Sequence, residues 1–183
     1  KGSGIEGMST NTVKPQFSHR ICISWVDAVF RGGIYCVSLW LKDSEGMSPT
    51  NMAILEELAI ILGSLRGPWV IGGDWNLTPE TLTAANWPSM VGGPIFATTL
   101  ATCHSSVYGF FVVSKTMAFA VPGVQRLSDG GTNPHWATRL LLRGDGNRYA
   151  VRQLTKAKRI EGALPFVPGN MPPSYQHIIE ADT

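Results

Sequence analysis

From Ile34 to Leu41 the chain reads IYCVSLWL, a nearly continuous β-branched and aromatic run. Such a run predicts a strand buried on both faces. Upstream, HRICISWVDAVF alternates apolar and polar residues well enough for a second strand, and Gly32-Gly33 supplies the tight turn between them. The period then changes. Ser48 is placed to cap a helix, Pro49 stands where a missing N–H costs nothing, and Met52, Leu55, Ala59 and Leu62 recur at helical spacing. Leu58 and Leu65 widen that stripe, Glu56 lies opposite, and Gly67-Pro68 end it, so a helix is predicted from Pro49 to Leu65. WVIGG is a short buried strand. TPETLTAANW repeats the Thr-cap and Pro signal for a short helix, and PSMVGGPIFATTLA reads as loop with weak strand character. Three more strand signals follow: SVYGFFVVS, broken by Gly109; a short one in AFAVPGVQRLSDGGTNPH; and WATRLLLRG. This order predicts a mixed α/β (α+β) sandwich rather than a doubly wound parallel sheet.

The ends have a different composition. Residues 1–17 are rich in Gly, Ser and Thr and read as a flexible arm, leaving 18–154 as the domain. Residues 155–183 carry Pro165, Pro168, Pro172 and Pro173 and read as an extended tail. The chain starts at Lys1 without a secretory pattern, as expected of a fragment or a processed product. Its 183 residues suffice for one domain with a sizeable core, and 44% apolar against 15% charged residues excludes a disordered chain. A net charge of +2 does not by itself argue for nucleic acid. No apolar run reaches membrane-span length, since Glu56 and Glu57 interrupt the longest. Three scattered cysteines make neither a disulfide framework nor a zinc motif, and favour an intracellular reducing compartment.

The sharpest chemical signal is WVIGGDWNLTPETL, residues 69–82. A strand ending there lifts Asp74 and Asn76 to one side, because side chains alternate with period two, and turns Trp75 inward. A carboxylate and an amide oxygen are hard ligands suited to Mg²⁺. The competing reading is an Asp-x-Asn turn ahead of a Pro-started helix. His135, after a Gly/Asn/Pro turn and at a strand start, is placed to work beside a phosphate or simply to sit at a strand end. KAKR, residues 156–159, offers either phosphate contacts or a solvated basic turn. His19, His104 and His177 have no evident partner in the sequence, and Ser105 and Ser106 make no nucleophile motif.

Taken in order, these segments resemble the endonuclease/exonuclease/phosphatase superfamily, the DNase I-like nucleases. WVIGGDWNLTP is similar to that family's strand ending in Gly-Asp-Phe-Asn, with Trp75 for Phe. The helix from Asn51 resembles the one that precedes that strand. SVYGFFVVS resembles the later Ser-x-Ile-Asp-Tyr-x-x-x-Ser strand, and NPHWATRLLL the closing Ser-Asp-His-x-Pro-Val strand. The flavour is that of retroelement-type sequences found in dinoflagellates, where Gly-Gly-Asp-Trp-Asn recurs. The match spans about residues 18–144. The resemblance implies a four-layer sandwich, two mixed β-sheets packed face to face with helices outside, here partial. It also implies a Mg²⁺-dependent phosphodiesterase or endonuclease in which Asp74 positions water, Asn76 orients phosphate or water, and His135 stabilises the scissile phosphate. On this reading Asp74 and Asn76 are also the metal ligands.

The departures from the family pattern fall on its chemistry. The Asp that orients the histidine is Gly109 here, and the Asp directly before the histidine is Pro134. The N-terminal Glu and an early Asn have no counterpart, as in an N-terminally truncated chain. Trp40 stands about where some relatives carry a Tyr, and Asp129 is the one nearby acid able to fold back. Residues that act as a unit do not survive piecemeal. The expectation is therefore a degenerate, catalytically inactive domain serving as a binding or structural module, as a subunit of a larger complex would. A protein partner would cover a sheet surface exposed by lost strands, and nucleic acid is a second candidate partner. The alternatives are an active Mg²⁺-dependent endonuclease, or an unrelated α/β binding domain with a mere turn at Asp74.

Overall fold

A computed structural model describes residues 5–7, 13–27, 32–128 and 134–143. The Pro-rich segment expected over 155–183, the KAKR cluster and Asp129 lie outside the described residues. Eight strands and three α-helices follow in the order β1 (Ile5–Gly7), β2 (Ile21–Val26), β3 (Ile34–Trp40), α1 (Pro49–Ser64), β4 (Trp69–Asp74), α2 (Pro79–Ala84), α3 (Trp87–Val91), β5 (Ile95–Phe96), β6 (Gly109–Val113), β7 (Gly123–Arg126) and β8 (Thr138–Leu141). The first six-stranded sheet has the order β1-β2-β3-β4-β6-β5, and β7-β8 form a second, two-stranded sheet. Only β3 and β4 run parallel, joined by the crossover through α1, so the first sheet is mixed. The second is an antiparallel pair among the described residues.

Helix α1 starts where its sequence demands: the Ser48 hydroxyl accepts from the Asn51 N–H at 3.2 Å, and Pro49 follows. Its buried face is rotated from the predicted stripe. Asn51, Ile54, Leu55, Glu57, Leu58, Ile61 and Leu62 point inward, while Met52 is exposed. Two polar residues on the inner face account for the shift, and both are satisfied there. The Asn51 amide donates to the Lys42 and Gly46 carbonyls and accepts from the Lys42 N–H, which ties the loop after β3 to the helix. Glu57 accepts from the Lys14 backbone N–H and pairs with its ammonium at 2.7 Å. Residues 1–17, expected as a loose arm, are partly built in. Ile5–Gly7 pair with β2, Val13 enters the core, and Lys14 anchors to α1.

Packing divides the first sheet into two faces. One holds Ile21, Ile23, Val37, Leu39, Ile71, Phe110 and Val112 against α1 and the short helices. The other carries Val113, Cys36, Val70 and Phe111 against Leu140 and Met117, beside the second sheet. Strand β3 is not buried on both faces as predicted. Its Ser38 and Trp40 are exposed, because the second sheet does not cover that end. In the segment after Trp87, predicted as loop with weak strand character, β5 forms as that character implied, while α3 forms where loop was expected, with Asn86 in a left-handed conformation separating α3 from α2.

Two glycines set the spacing at the end of β4. A Cβ on Gly73 would strike the Leu39 backbone carbonyl of β3, and one on Gly72 would meet the Phe111 ring at 2.7 Å. Bare backbone is what lets β3, β4 and β6 close here.

Two predictions follow from this packing. Gly73→Ala must force β3 and β4 apart and should cost about 3 kcal/mol in urea unfolding, whereas Gly63→Ala, in open space on α1, should gain about 1 kcal/mol. Equal effects would refute the close-approach argument. The Lys14 contact, opposed by burial, holds the Glu57 carboxyl below its ordinary 4.5. A lowered folded value means the stabilisation is complete above that pH and fades as pH falls through the folded value. Glu57→Gln should therefore lose about 1 kcal/mol at neutral pH, with the gap to wild type closing as pH falls below 4.5, measured by thermal unfolding across pH.

Candidate functional site

Where the second sheet stops covering the first, a cleft of about 370 Å³ opens. Ser38 of β3, Gly72, Gly73 and Asp74 of β4, and Gly109 and Phe111 of β6 form its floor. Thr102, His135, Trp136, Ala137 and Thr138 complete its walls. Asp74 and His135, distant in sequence, thus share one cleft.

Asp74 is presented by its neighbour. Trp75 is fully buried, stacked on Phe110 with ring centroids 4.7 Å apart and edge-on to Trp87 at 6.0 Å. Its indole N–H donates to the Phe110 carbonyl at 2.9 Å. With Trp75 fixed inward, strand alternation turns Asp74 to the opposite side. One Asp74 oxygen, Oδ2, accepts from the Asn76 amide at 3.3 Å. The other, Oδ1, is buried without a hydrogen-bond partner.

Asn76 behaves differently from its sequence expectation. It adopts a left-handed backbone, φ 48°, which asparagine tolerates. Its NH₂ donates to the Leu41 carbonyl at 2.9 Å as well as to Asp74. Asn76 does not line the cleft. What its contacts describe is a brace between the end of β3, the turn and the carboxylate.

Directly across β4 and β6, Asp74 is in register with Gly109. The backbone at Gly109 is not left-handed, and a Cβ there would lie 3.5 Å from the Thr102 and Thr138 hydroxyls, an ordinary contact. Neither conformation nor space requires glycine at this position. Thr102 is buried, and its hydroxyl accepts from the Tyr108 and Gly109 N–H groups, both at 2.8 Å.

His135 is exposed and pairs by an isolated bridge with Cys103, whose sulfur is 3.7 Å from Nε2. Burial first, then the negative charge of Asp74, pushes the Cys103 thiol up, so it stands neutral beside the imidazole at neutral pH. Pro134 precedes it, exposed. Trp136 lies under the Arg126 guanidinium at 4.7 Å, and Arg126 also donates to the Ala101 carbonyl. Trp40, register partner of Asp74 on β3, lies under Arg20 at 4.2 Å. Thr102, Cys103, Trp136 and Arg126 carry no sequence signal of their own. Only the return of the chain through 101–106 beside the Pro134–Trp136 turn gathers them.

As a cation site the donor set is thin. Among the described residues, Asp74 is the single carboxylate lining the cleft, and no group of three or more His, Cys, Asp or Glu residues suited to a metal occurs. The orphaned Oδ1 is one oxygen ligand; Mg²⁺ held by protein normally takes one or two carboxylates with substrate phosphate and water filling the rest. The described residues alone do not make a resident Mg²⁺ site.

No family model and no curated protein matches the sequence. Solved structures do. The endonuclease domain of TRAS1, a telomere-specific non-LTR retrotransposon, superposes with a TM-score of 0.59 at 15% identity, covering 76% of this chain and 68% of that one. An AP endonuclease from Archaeoglobus fulgidus gives 0.55 at 11% identity, over 76% of this chain and 72% of the other. The cytolethal distending toxin from Actinobacillus actinomycetemcomitans gives 0.53 at 14% identity, over 78% and 60%. The mixed sheet, the crossover helix before β4 and the second sheet are therefore those of the endonuclease/exonuclease/phosphatase, DNase I-like fold, as the order of sequence motifs implied.

Proposed function

We propose that this chain is a degenerate, retroelement-derived relative of the DNase I-like nucleases whose cleft binds a nucleic acid chain without cutting it. The observation that carries the reading is the register of Asp74 with Gly109. The position best placed to add a second carboxylate carries none, though nothing in the backbone forbids one. Residues that act as a unit do not survive piecemeal, and among the described residues Asp74 is the one carboxylate at this site. The names of the similar structures favour nucleic acid as the bound class.

A second reading, a Mg²⁺-dependent phosphodiesterase, draws on the orphaned Asp74 Oδ1, since a buried unpaired carboxylate oxygen is costly and a cation would satisfy it. In that case Asp74, with Asn76 bracing it, would hold the ion, and His135 would face the phosphate. A protein partner is the third element of the proposal, with the exposed Met52 and Ile60 of α1 and Met90 of α3 as apolar surface for a larger complex.

Incubation of the full chain with supercoiled plasmid and with an abasic-site duplex, in Mg²⁺ and then Mn²⁺, separates the first two. No cleavage above background is expected even at high protein concentration. Cleavage that disappears in both Asp74→Ala and His135→Ala would overturn the inactive reading.

A further inference from the structure

Two exposed tryptophans stand near this site: Trp136, 40% exposed, lines the cleft, and Trp40, 51% exposed, is the β3 register partner of Asp74 outside the lining. Each has an arginine guanidinium over its ring, Arg20 on Trp40 at 4.2 Å and Arg126 on Trp136 at 4.7 Å. The two pairs belong to different sheets. Trp40 shares a sheet face with Ser38 and sits in register beside Asp74, whereas Trp136 follows His135 into β8. Both arginines are half-buried, and Arg126 is further fixed by its bond to Ala101. The rings are thus held in place while a large part of each remains open to solvent.

We propose that these two arginine-backed indoles are stacking platforms for unpaired bases, so that the ligand is single-stranded nucleic acid rather than duplex. The proposal rests on the reading of the cleft as a nucleic acid site and names the form it takes. Three observations converge on it. Every base offers a π-face, and an indole in a fixed orientation receives it without sequence preference. The guanidiniums over the rings match the phosphates of a passing backbone in charge. The cleft, about 370 Å³, is in the range of small-ligand pockets and admits a splayed nucleotide but not a double helix. The Asp74 carboxylate directs the same arrangement, since its charge repels phosphate from the cleft floor and leaves the rim to the backbone.

Fluorescence anisotropy of the full chain with labelled oligothymidylate, the matching duplex and an abasic oligonucleotide tests this. The single strand should bind more tightly than the duplex, and the abasic strand should bind weakly. Trp136→Ala and Trp40→Ala should each weaken single-strand binding by roughly 5- to 150-fold. Trp136→Phe and Trp40→Phe, which keep an aromatic face, should stay within a few-fold of wild type, and Ile60→Ala on α1 should change nothing. Unaltered binding in both alanine variants, or preference for duplex, overturns the platforms while leaving a nucleic acid cleft. Failure of the wild type to bind any of the three probes overturns the cleft reading as well. Cleavage by the wild type bears only on its inactivity.

Discussion

The position of the carboxylate in the cleft depends on one buried ring. Trp75 is sealed between Phe110 and Trp87, and its single polar atom is satisfied by the Phe110 carbonyl of the neighbouring strand. An indole buried with its N–H paired contributes large apolar area at no polar cost. That contact fixes which way β4 is facing when it ends. The residue before Trp75 must then leave the core, and that residue is Asp74. The carboxylate is placed by packing on the far side of the sheet, and Asn76 needs only to brace it.

The same end of β4 also dictates where the cleft can open. Gly72 and Gly73 allow Phe111 and the Leu39 backbone to approach so closely that the floor is backbone rather than side chain. Above it the second sheet contributes Thr138 and stops. Strand β3 therefore changes character along its length: Val37 and Leu39 go into the helical core, Ser38 lines the cleft, and Trp40 is exposed to solvent. The glycines, which the sequence places at the end of a short strand, are there packing residues.

This explains which features could be read from the sequence. The capped helix at Ser48, the strand into Asp74 and the inward Trp75 are local statements, set by period and capping, and they hold within a residue or two. The order of motifs carried the fold, because four weak segments in a fixed order constrain topology more than any one constrains its own structure. The inner face of α1 was displaced because Asn51 and Glu57 count as polar in any periodicity, while their partners Lys42, Gly46 and Lys14 come from outside the helix. The contacts of His135 and the arginine-backed tryptophans were illegible for the same reason. Cys103 lies 32 residues from His135, and Ala101 lies 25 residues from Arg126.

What separates a cutting cleft from a binding one here is the sign of the charge at its floor. One carboxylate with no compensating cation repels an entering phosphate, and the low dielectric of a partly enclosed site magnifies the effect. A second carboxylate opposite would reverse that outcome, because two acids hold a divalent ion and the ion then attracts the phosphate. With Gly109 opposite Asp74, the described residues have the repulsive half of that arrangement without the half that converts it. The guanidiniums lie instead over Trp40 and Trp136. On the proposed reading, a polyanion would pass across these rings and stay away from the Asp74 carboxylate.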